Sequence, residues 1–339
     1  MTLDAPPRPA IAAGPRITVS RGLITITVAV VALFLASALI GPTSVSRGAL
    51  LGMLPFAAVL AIAAIGQTLV VQQGGIDLSV AGAVSLAVVI STHVADGDDS
   101  RVPQALGLGL VVAVLAGMGN GFLVGRLGLN PIVATLGVNA LLYAGVLGIS
   151  GGSPRRTTDL LRSVAGGLTL GIPNSVYVAV LVVLVATVAM KITAAGRRFE
   201  AIGANPAAAF ATALPVTRHR MSAYVWAQVL YWLAGVLLAG IIAQPTAFQG
   251  DAYLLPSVAA VVLGGTSLLG GRGYPVATAV AALFLSQLDQ FVLALGVSFA
   301  IRTLVEAAAL TVGVALYTVN WRALRDRFAR RTPAPSPAT

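Results

Sequence analysis

Long apolar runs separated by short polar or charged stretches dominate the chain. They fall at 22–40, 48–72, 78–94, 104–125, 131–150, 172–190, 222–243, 252–269, 274–295 and 299–319. A helix needs about 20 apolar residues to cross a bilayer. The pattern therefore predicts an all-α integral membrane protein with about ten transmembrane helices. The third and eighth runs are short and interrupted by glycine, which predicts broken or re-entrant segments there.

An even number of spans puts both ends on one side, and the positive charges indicate which. With the N-terminus inside, 15 bases fall on internal segments: three before Gly22, Arg126, five between Lys191 and Arg220, Arg272, and five after Val319. The opposite loops hold five (Arg47, Arg101, Arg155, Arg156 and Arg162), together with Asp96, Asp98, Asp99, Asp159 and Asp251. Both termini are expected in the cytoplasm. The uncharged core of the first run exceeds the ~7–15 residues of a cleaved signal sequence, so it reads as a retained anchor. The expected organisation is an N-terminal tail at 1–21, a membrane domain at 22–319 with a cytoplasmic loop at 191–221, and a basic tail at 320–339.

Composition supports this reading. Only 9% of the 339 residues are charged and 57% are apolar, against roughly 25% charged in a soluble domain. A soluble fold could not hide so much apolar surface, and a disordered chain would not carry it. The net charge of +10 is split into short clusters rather than one basic face, which argues against a nucleic-acid partner. Zero cysteines exclude disulfides and thiolate chemistry. Two histidines, His93 and His219, are too few for a histidine-rich metal centre. No nucleophile, base and orienting group cluster together, so no catalytic or metal-binding residue is assigned.

Three stretches break the apolar monotony. GQTLVVQQGGIDLS at 66–79 sets Gln67, Gln72, Gln73, Asp77 and Ser79 around Gly74 and Gly75. Irregular backbone and charge at membrane depth belong where protein buries them or water reaches them. One reading is a broken helix facing a hydrophilic pathway; the other is a plain turn whose Asp77 caps the next helix. LGGTSLLGGRGY at 263–274 has five glycines in the ten residues from Gly264 to Gly273. The spacing of Gly265 and Gly270 matches a phosphate-binding loop, but Gly271 stands where that motif requires lysine. Close-packed backbone beside a gate, formed by Gly264, Gly265, Thr266 and Ser267, is one reading, and a tight turn is the other.

The third stretch, GRRFEAIGANPAAAFATALP at 196–215, lies in the long internal loop. Asn205 is a good N-cap, Pro206 suits a first helical turn, and the alanines favour helix. Pro215 biases the residue before it away from helix, giving a stop near Ala213. A helix of about eight residues, roughly 12 Å long, is marginal alone and needs something to pack against. Elsewhere, Gly117, Gly121 and Gly125 form a small-residue face for close helix approach. Arg302 and Glu306, one helical turn apart, with Asp289 at the same end of the preceding span, read as an ion-pair cluster or as a relay.

These stretches resemble the permease subunits of ribose-type ATP-binding-cassette (ABC) sugar importers, which also serve xylose, galactose and autoinducer-2. The similar pieces are GQTLVVQQGGIDLSVAGAVSLA at 66–87, NGFLVGRLGLNPIVATLG at 120–137, GRRFEAIGANPAAA at 196–209 and AAVVLGGTSLLGGRG at 259–273. The likeness runs from roughly Arg21 to Trp321. Branched-chain amino-acid permeases are a related group that differs after the second span. The resemblance implies two permeases sharing one pathway, an ATPase inside that binds ATP and Mg, and a periplasmic or extracellular sugar-binding protein. No cofactor is implied in this chain. The resemblance assigns ATPase coupling to Gly196, Arg197, Arg198, Glu200, Gly203, Asn205 and Ala208. The chain departs from the family where a Gly-Ile pair commonly follows the coupling helix and Ala213-Leu214 stands instead. The expected function is translocation of a monosaccharide or related polyol across the bacterial cytoplasmic membrane. Two competing readings are an ion-coupled secondary transporter using Asp77, Asp289 or Glu306, and an intramembrane enzyme or scaffold.

Overall fold

A computed structural model describes residues 20–298, with residues 300, 301, 304, 307, 308 and 311 beyond them. Twelve α-helices are assigned among these residues. They are α1 (Arg21–Ile40), α2 (Arg47–Gln72), α3 (Val80–His93), α4 (Val102–Gly121), α5 (Pro131–Ser150) and α6 (Asp159–Gly166), followed by α7 (Asn174–Lys191), α8 (Ala194–Ala204), α9 (Pro206–Ala211), α10 (Val216–Ile241), α11 (Leu254–Leu263) and α12 (Pro275–Ala294). Seven helices are long and apolar enough to cross a membrane among the described residues.

Two 26-residue helices, α2 and α10, form the centre. In each, 61% of the most apolar window is buried, against 11% in α1 and 17% in α7. The outer helices thus leave their apolar side chains outward, as contact with lipid requires. α3, α4, α11 and α12 pack around the central pair, and α5 packs on the outside of α3. We refer to the end of the bundle that carries Lys191, Arg218 and Arg220 as the basic end.

The third and eighth runs do break. α3 has 14 residues and α11 has 10, about 21 and 15 Å at 1.5 Å per residue, too short to span. Before α3, residues 73–79 run without regular structure from the basic end of α2 into the bundle. The other break has the opposite sense. Residues 242–248 leave α10 at the far end and re-enter, a 3₁₀ turn follows at Gln249–Tyr253, and α11 continues toward the basic end. The Gly250 N–H donates to Ser85 Oγ at 2.9 Å, which places this turn beside the sixth residue of α3, well inside the bundle.

Several boundaries differ from the sequence expectations. The loop at 191–221 holds two helices, α8 and α9, rather than one. α8 escapes a hydropathy reading because it is amphipathic and charged. α10 starts at Val216 rather than 222, since its first turns carry Arg218, His219 and Arg220 past the apolar run. The far-end segment at 151–173 contains α6 and a short hairpin pairing Leu168–Thr169 with Ile172–Pro173. Arg155 of this segment pairs with Asp96 of the loop before α4 at 2.8 Å, and within that loop Arg101 pairs with Asp98 at 3.5 Å. Arg302, Glu306 and most of the tenth run lie outside the described residues.

Candidate functional site

The bend between α2 and α3 is held by a network of buried side chains. Gln67, on α2, lies alongside the extended chain at Asp77. With its amide turned so that the oxygen accepts from the Asp77 N–H at 3.1 Å, the nitrogen donates to the Asp77 carbonyl at 3.2 Å and to the Tyr231 hydroxyl at 2.7 Å. A side chain thus supplies the pairing that an extended segment lacks in a bilayer. Asp77 Oδ1 accepts from the Ser79 N–H at 2.9 Å and from the Ser79 hydroxyl. Ser79 Oγ in turn accepts from Asn120 Nδ2 at 2.8 Å and Gln228 Nε2 at 2.6 Å. Gln67, Gln72, Asp77 and Ser79 are all fully buried.

The free N–H groups at the start of α3 are met from α5. Thr135 Oγ1 accepts from Leu78 N at 2.9 Å, and Asn139 Oδ1 accepts from Gly82 N at 2.8 Å. These partners, with Asn120, Gln228 and Tyr231, escaped the sequence reading. Their signal was a polar residue inside a long apolar run, with Thr135 and Asn139 one turn apart. Asp77 forms the turn that opens α3, as one reading expected, but it does so fully buried in the bundle, bonded to Ser79 and Gln228.

A second constellation joins the three polar stretches at the basic end. The C-terminus of α2, the C-terminal turn of α8 and the loop before α12 meet backbone to backbone. The Gly271 N–H donates to the Gln72 carbonyl at 2.8 Å, while Gln72 Nε2 donates to the Gly271 carbonyl at 2.9 Å. Gly203 fits between them: a Cβ there would lie 2.0 Å from the Gln72 carbonyl oxygen and 3.0 Å from Gly271 N. Gln73 Nε2 donates to the Phe199 carbonyl at 2.8 Å. α8 is thereby tied to the first residue of the α2–α3 bend and to the glycine loop.

The remaining residues of that loop shape it. Gly264 packs on Thr278, and Thr266 is buried with its Oγ1 accepting from Tyr274 N at 3.3 Å. Ser267 N donates to the Arg272 carbonyl at 3.2 Å, closing the tip that carries Leu269, 92% exposed. Gly265, Gly270 and Gly271 take positive φ values of 81°, 92° and 87°.

The internal loop is built from the expected residues. Thr193 caps α8, accepting from Gly196 N at 3.0 Å, and Arg197 Nη1 donates to the Ile192 carbonyl at 2.9 Å. Glu200 pairs with Lys191 at 3.4 Å. Asn205 caps α9, its Oδ1 accepting from Ala208 N at 3.0 Å. Arg198 and Ala208 face outward, and Phe210 is 76% exposed. Ala213, where the resembling family has glycine, takes φ +60°, and the Leu214 N–H donates to the Ala209 carbonyl at 3.0 Å. The turn geometry that glycine favours is kept with alanine.

A third constellation corrects the sequence reading of Asp251 as a far-end loop acid. It directly follows Gly250, beside Ser85 of α3, so it lies inside the bundle's length. The hydroxyl of Tyr143, the thirteenth residue of α5, donates to its carboxylate. The Tyr143 ring packs edge-on against Phe248, centroids 5.4 Å apart. Gln249 Oε1 accepts from Thr246 N at 3.3 Å and Thr246 Oγ1 at 2.9 Å. Asp251 and Phe248 are exposed, making a polar and aromatic strip on an otherwise apolar flank.

Comparison with known proteins agrees with this architecture. The family described as branched-chain amino acid transport system / permease component matches residues 49–320. A probable ABC transporter permease of Sinorhizobium fredii is 33% identical over 91% of this chain and 90% of its own length. The ribose import permease of Bacillus subtilis is 34% identical over 79% of this chain and 84% of its own. An autoinducer 2 import system permease of Photorhabdus temperata is 32% identical over 75% and 78%. No solved structure matches the chain. This chain is a multi-pass membrane protein of that permease family, a transport component rather than an enzyme, and within the family it belongs with the ribose-type ABC sugar permeases.

Proposed function

We propose that this chain is the membrane-spanning half of an ATP-driven importer for a monosaccharide or related polyol. It works as one of two permease copies in the bacterial cytoplasmic membrane. The basic end faces the cytoplasm, in keeping with the charge distribution. There α8 and α9 dock on an ATPase subunit through Arg198, Ala208 and the exposed Phe210, and Leu269 extends the same face. A solute-binding protein delivers the sugar at the far end.

The observation that carries this reading is the backbone junction of Gln72, Gly203 and Gly271. It gives the docking element a direct hold on the α2–α3 bend and on the glycine loop. Movement of α8 driven by ATP binding in the partner then reaches both without a long relay. The bracing residues Gln67, Gln72, Gly74, Gly75, Asp77, Ser79, Gly264, Gly265, Thr266 and Ser267 hold the irregular backbone beside the pathway. The strip of Tyr143, Thr246, Phe248, Gln249 and Asp251 forms the wall, because an exposed carboxylate at that depth is costly against lipid. An aromatic edge beside hydrogen-bonding groups suits a sugar, which presents C–H faces and hydroxyls.

The test is uptake by vesicles containing this chain, its ATPase and its binding protein. Phe210→Ala should leave the folded chain intact, since the ring touches little of it, yet cut uptake and receptor-stimulated ATP hydrolysis at least tenfold. Gly203→Val should uncouple the two activities, with hydrolysis persisting and uptake lost. Unchanged uptake and hydrolysis in both variants would refute the coupling role.

A further inference from the structure

At the basic end, a cavity of about 240 Å³ opens between the α2–α3 bend, the connection from α4 to α5, the start of α5 and the first turns of α10. That is several times the roughly 30 Å³ share of a water molecule in liquid water. Its walls include Gln73, Gly75, Val124, Asn130, Arg220 and Tyr224. Three of these side chains carry buried polar atoms without a protein partner: Arg220 Nε, the Tyr224 hydroxyl and Gln73 Oε1. Tyr224 is only 2% exposed and Gln73 6%. Buried polar groups are ordinarily paired, so three orphans around one cavity ask for an occupant.

The donor set specifies its chemistry. Arg220 and Tyr224 offer N–H and O–H donors, with the permanent charge of a guanidinium behind them, so the acceptor they suit is anionic. Gln73 has already used its amide N–H on Phe199, and its free oxygen asks for a donor. Among the described residues no acidic side chain lines the cavity. Asp77 is bonded to Ser79 and Gln228 instead. A phosphodiester with a neutral hydroxyl beyond it meets both demands, whereas an ammonium would add a second cation beside the guanidinium: phosphate on Arg220 and Tyr224, head-group hydroxyl on Gln73.

The surroundings identify where such a group comes from. Beside the cavity, the connection from α4 to α5 exposes Phe122 and Leu129, and α5 exposes Ile132, Val133 and Leu136, each 45–69% exposed, an apolar flank along which acyl chains can lie. The cavity thus sits where a basic end meets a lipid-facing wall, the setting in which basic pockets between membrane helices hold anionic head groups. We infer that this cavity is a binding site for the head group of an anionic phospholipid such as phosphatidylglycerol. The site adjoins the α2–α3 bend through Gly74 and Gly75, and its assignment does not rest on the transport reading. Occupied, it would clamp α4, α5 and α10 to the bend that α8 already grips.

The site is tested with the full-length chain in nanodiscs and detergent, by native mass spectrometry and thermal denaturation. Phosphatidylglycerol should remain bound at least tenfold more than phosphatidylcholine, whose choline offers no O–H or N–H donor. Tyr224→Phe removes a hydroxyl that makes no bond within the protein, so the lipid-free variant should melt as the parent does. Tyr224→Phe and Arg220→Gln should each lose the phosphatidylglycerol preference. Equal retention of the two lipids by the parent would overturn the assignment, as would an undiminished preference in both variants. Millimolar inorganic phosphate in detergent should not reproduce the lipid's stabilisation. If it does so in full, the site takes free phosphate and the lipid assignment fails.

Discussion

At the scale of single residues, Asp77 shows how a carboxylate can lie at depth in a membrane protein without facing water. Its Oδ1 forms the turn into α3, and Oδ2 lies 3.4 Å from Gln228 Nε2. Asp77→Ala removes the acceptor for the Ser79 N–H and hydroxyl while leaving both buried. Each stranded group costs roughly 1–3 kcal/mol, so a loss of about 2–6 kcal/mol is expected in denaturation of the detergent-solubilised chain. Asp77→Asn keeps an oxygen for Ser79 and should cost about half as much. The pair also separates transport mechanisms. An ATP-driven importer should retain uptake within a few-fold in Asp77→Asn, whereas a relay through Asp77 would stop. The GGIDLS run was legible as irregular backbone, but its depth stood open between two readings and its partners were not legible. Thr135, Asn139 and Gln228 lie 58 to 151 positions from Asp77, and a single sequence carries no register between helices. Ala213 is the complementary case. Its departure from the family pattern was visible in the sequence, and only the structure shows that the backbone there is left-handed. Alanine in that region costs about 1–2 kcal/mol. Ala213→Gly should therefore deepen the cap of α9, slowing hydrogen exchange of the Leu214 amide by roughly fivefold or more.

At the scale of elements, the two broken helices are complementary. The α2–α3 break puts irregular chain toward the basic end and helix beyond it, and the break before α11 reverses that order. Each is held by its neighbours, α3 by α5 and the 3₁₀ turn by Ser85, which is the condition for irregular backbone at membrane depth. Run lengths and glycines made both breaks legible. The sense of the second was not, because hydropathy averages over a helix and a re-entrant loop alike. Asp251 was assigned to a loop for that reason. The close helix pair was more readable. Gly117 and Gly121, singled out by their spacing, are where α4 meets the backbone of α10: a Cβ at Gly117 would lie 2.6 Å from Val225 Cα, and one at Gly121 2.9 Å from Met221 Cα. Gly119, between them in sequence, faces open space. Gly117→Ala should destabilise the chain by about 1–3 kcal/mol through forced separation of the two helices. Gly119→Ala should be neutral, or stabilising by up to about 1 kcal/mol through helix propensity. Equal effects of the two on the melting temperature would mean that α4 and α10 do not pack as described.

At the scale of the whole molecule, apolar surface must meet lipid while polar surface at the same depth must meet water or a second subunit. The flank of α5 presents both. Leu141 is 72% exposed, and two residues along, Tyr143 turns to Asp251 and Phe248. If the strip lines an aqueous pathway, depth alone will not determine what reagents reach; the face will. The chain contains no cysteine, so each introduced thiol can be followed without background. A thiol reacts as its thiolate, which forms in water and is suppressed in an apolar environment. Phe248→Cys and Asp251→Cys should therefore react with a charged, membrane-impermeant thiosulfonate at least about tenfold faster than Leu141→Cys. Added sugar and binding protein should slow the first two and leave the third unchanged, because only the pathway wall is covered by the passing solute. Matching rates at Asp251→Cys and Leu141→Cys would place the carboxylate against lipid or a sealed subunit contact, and the wall would have to be sought on another face of the bundle.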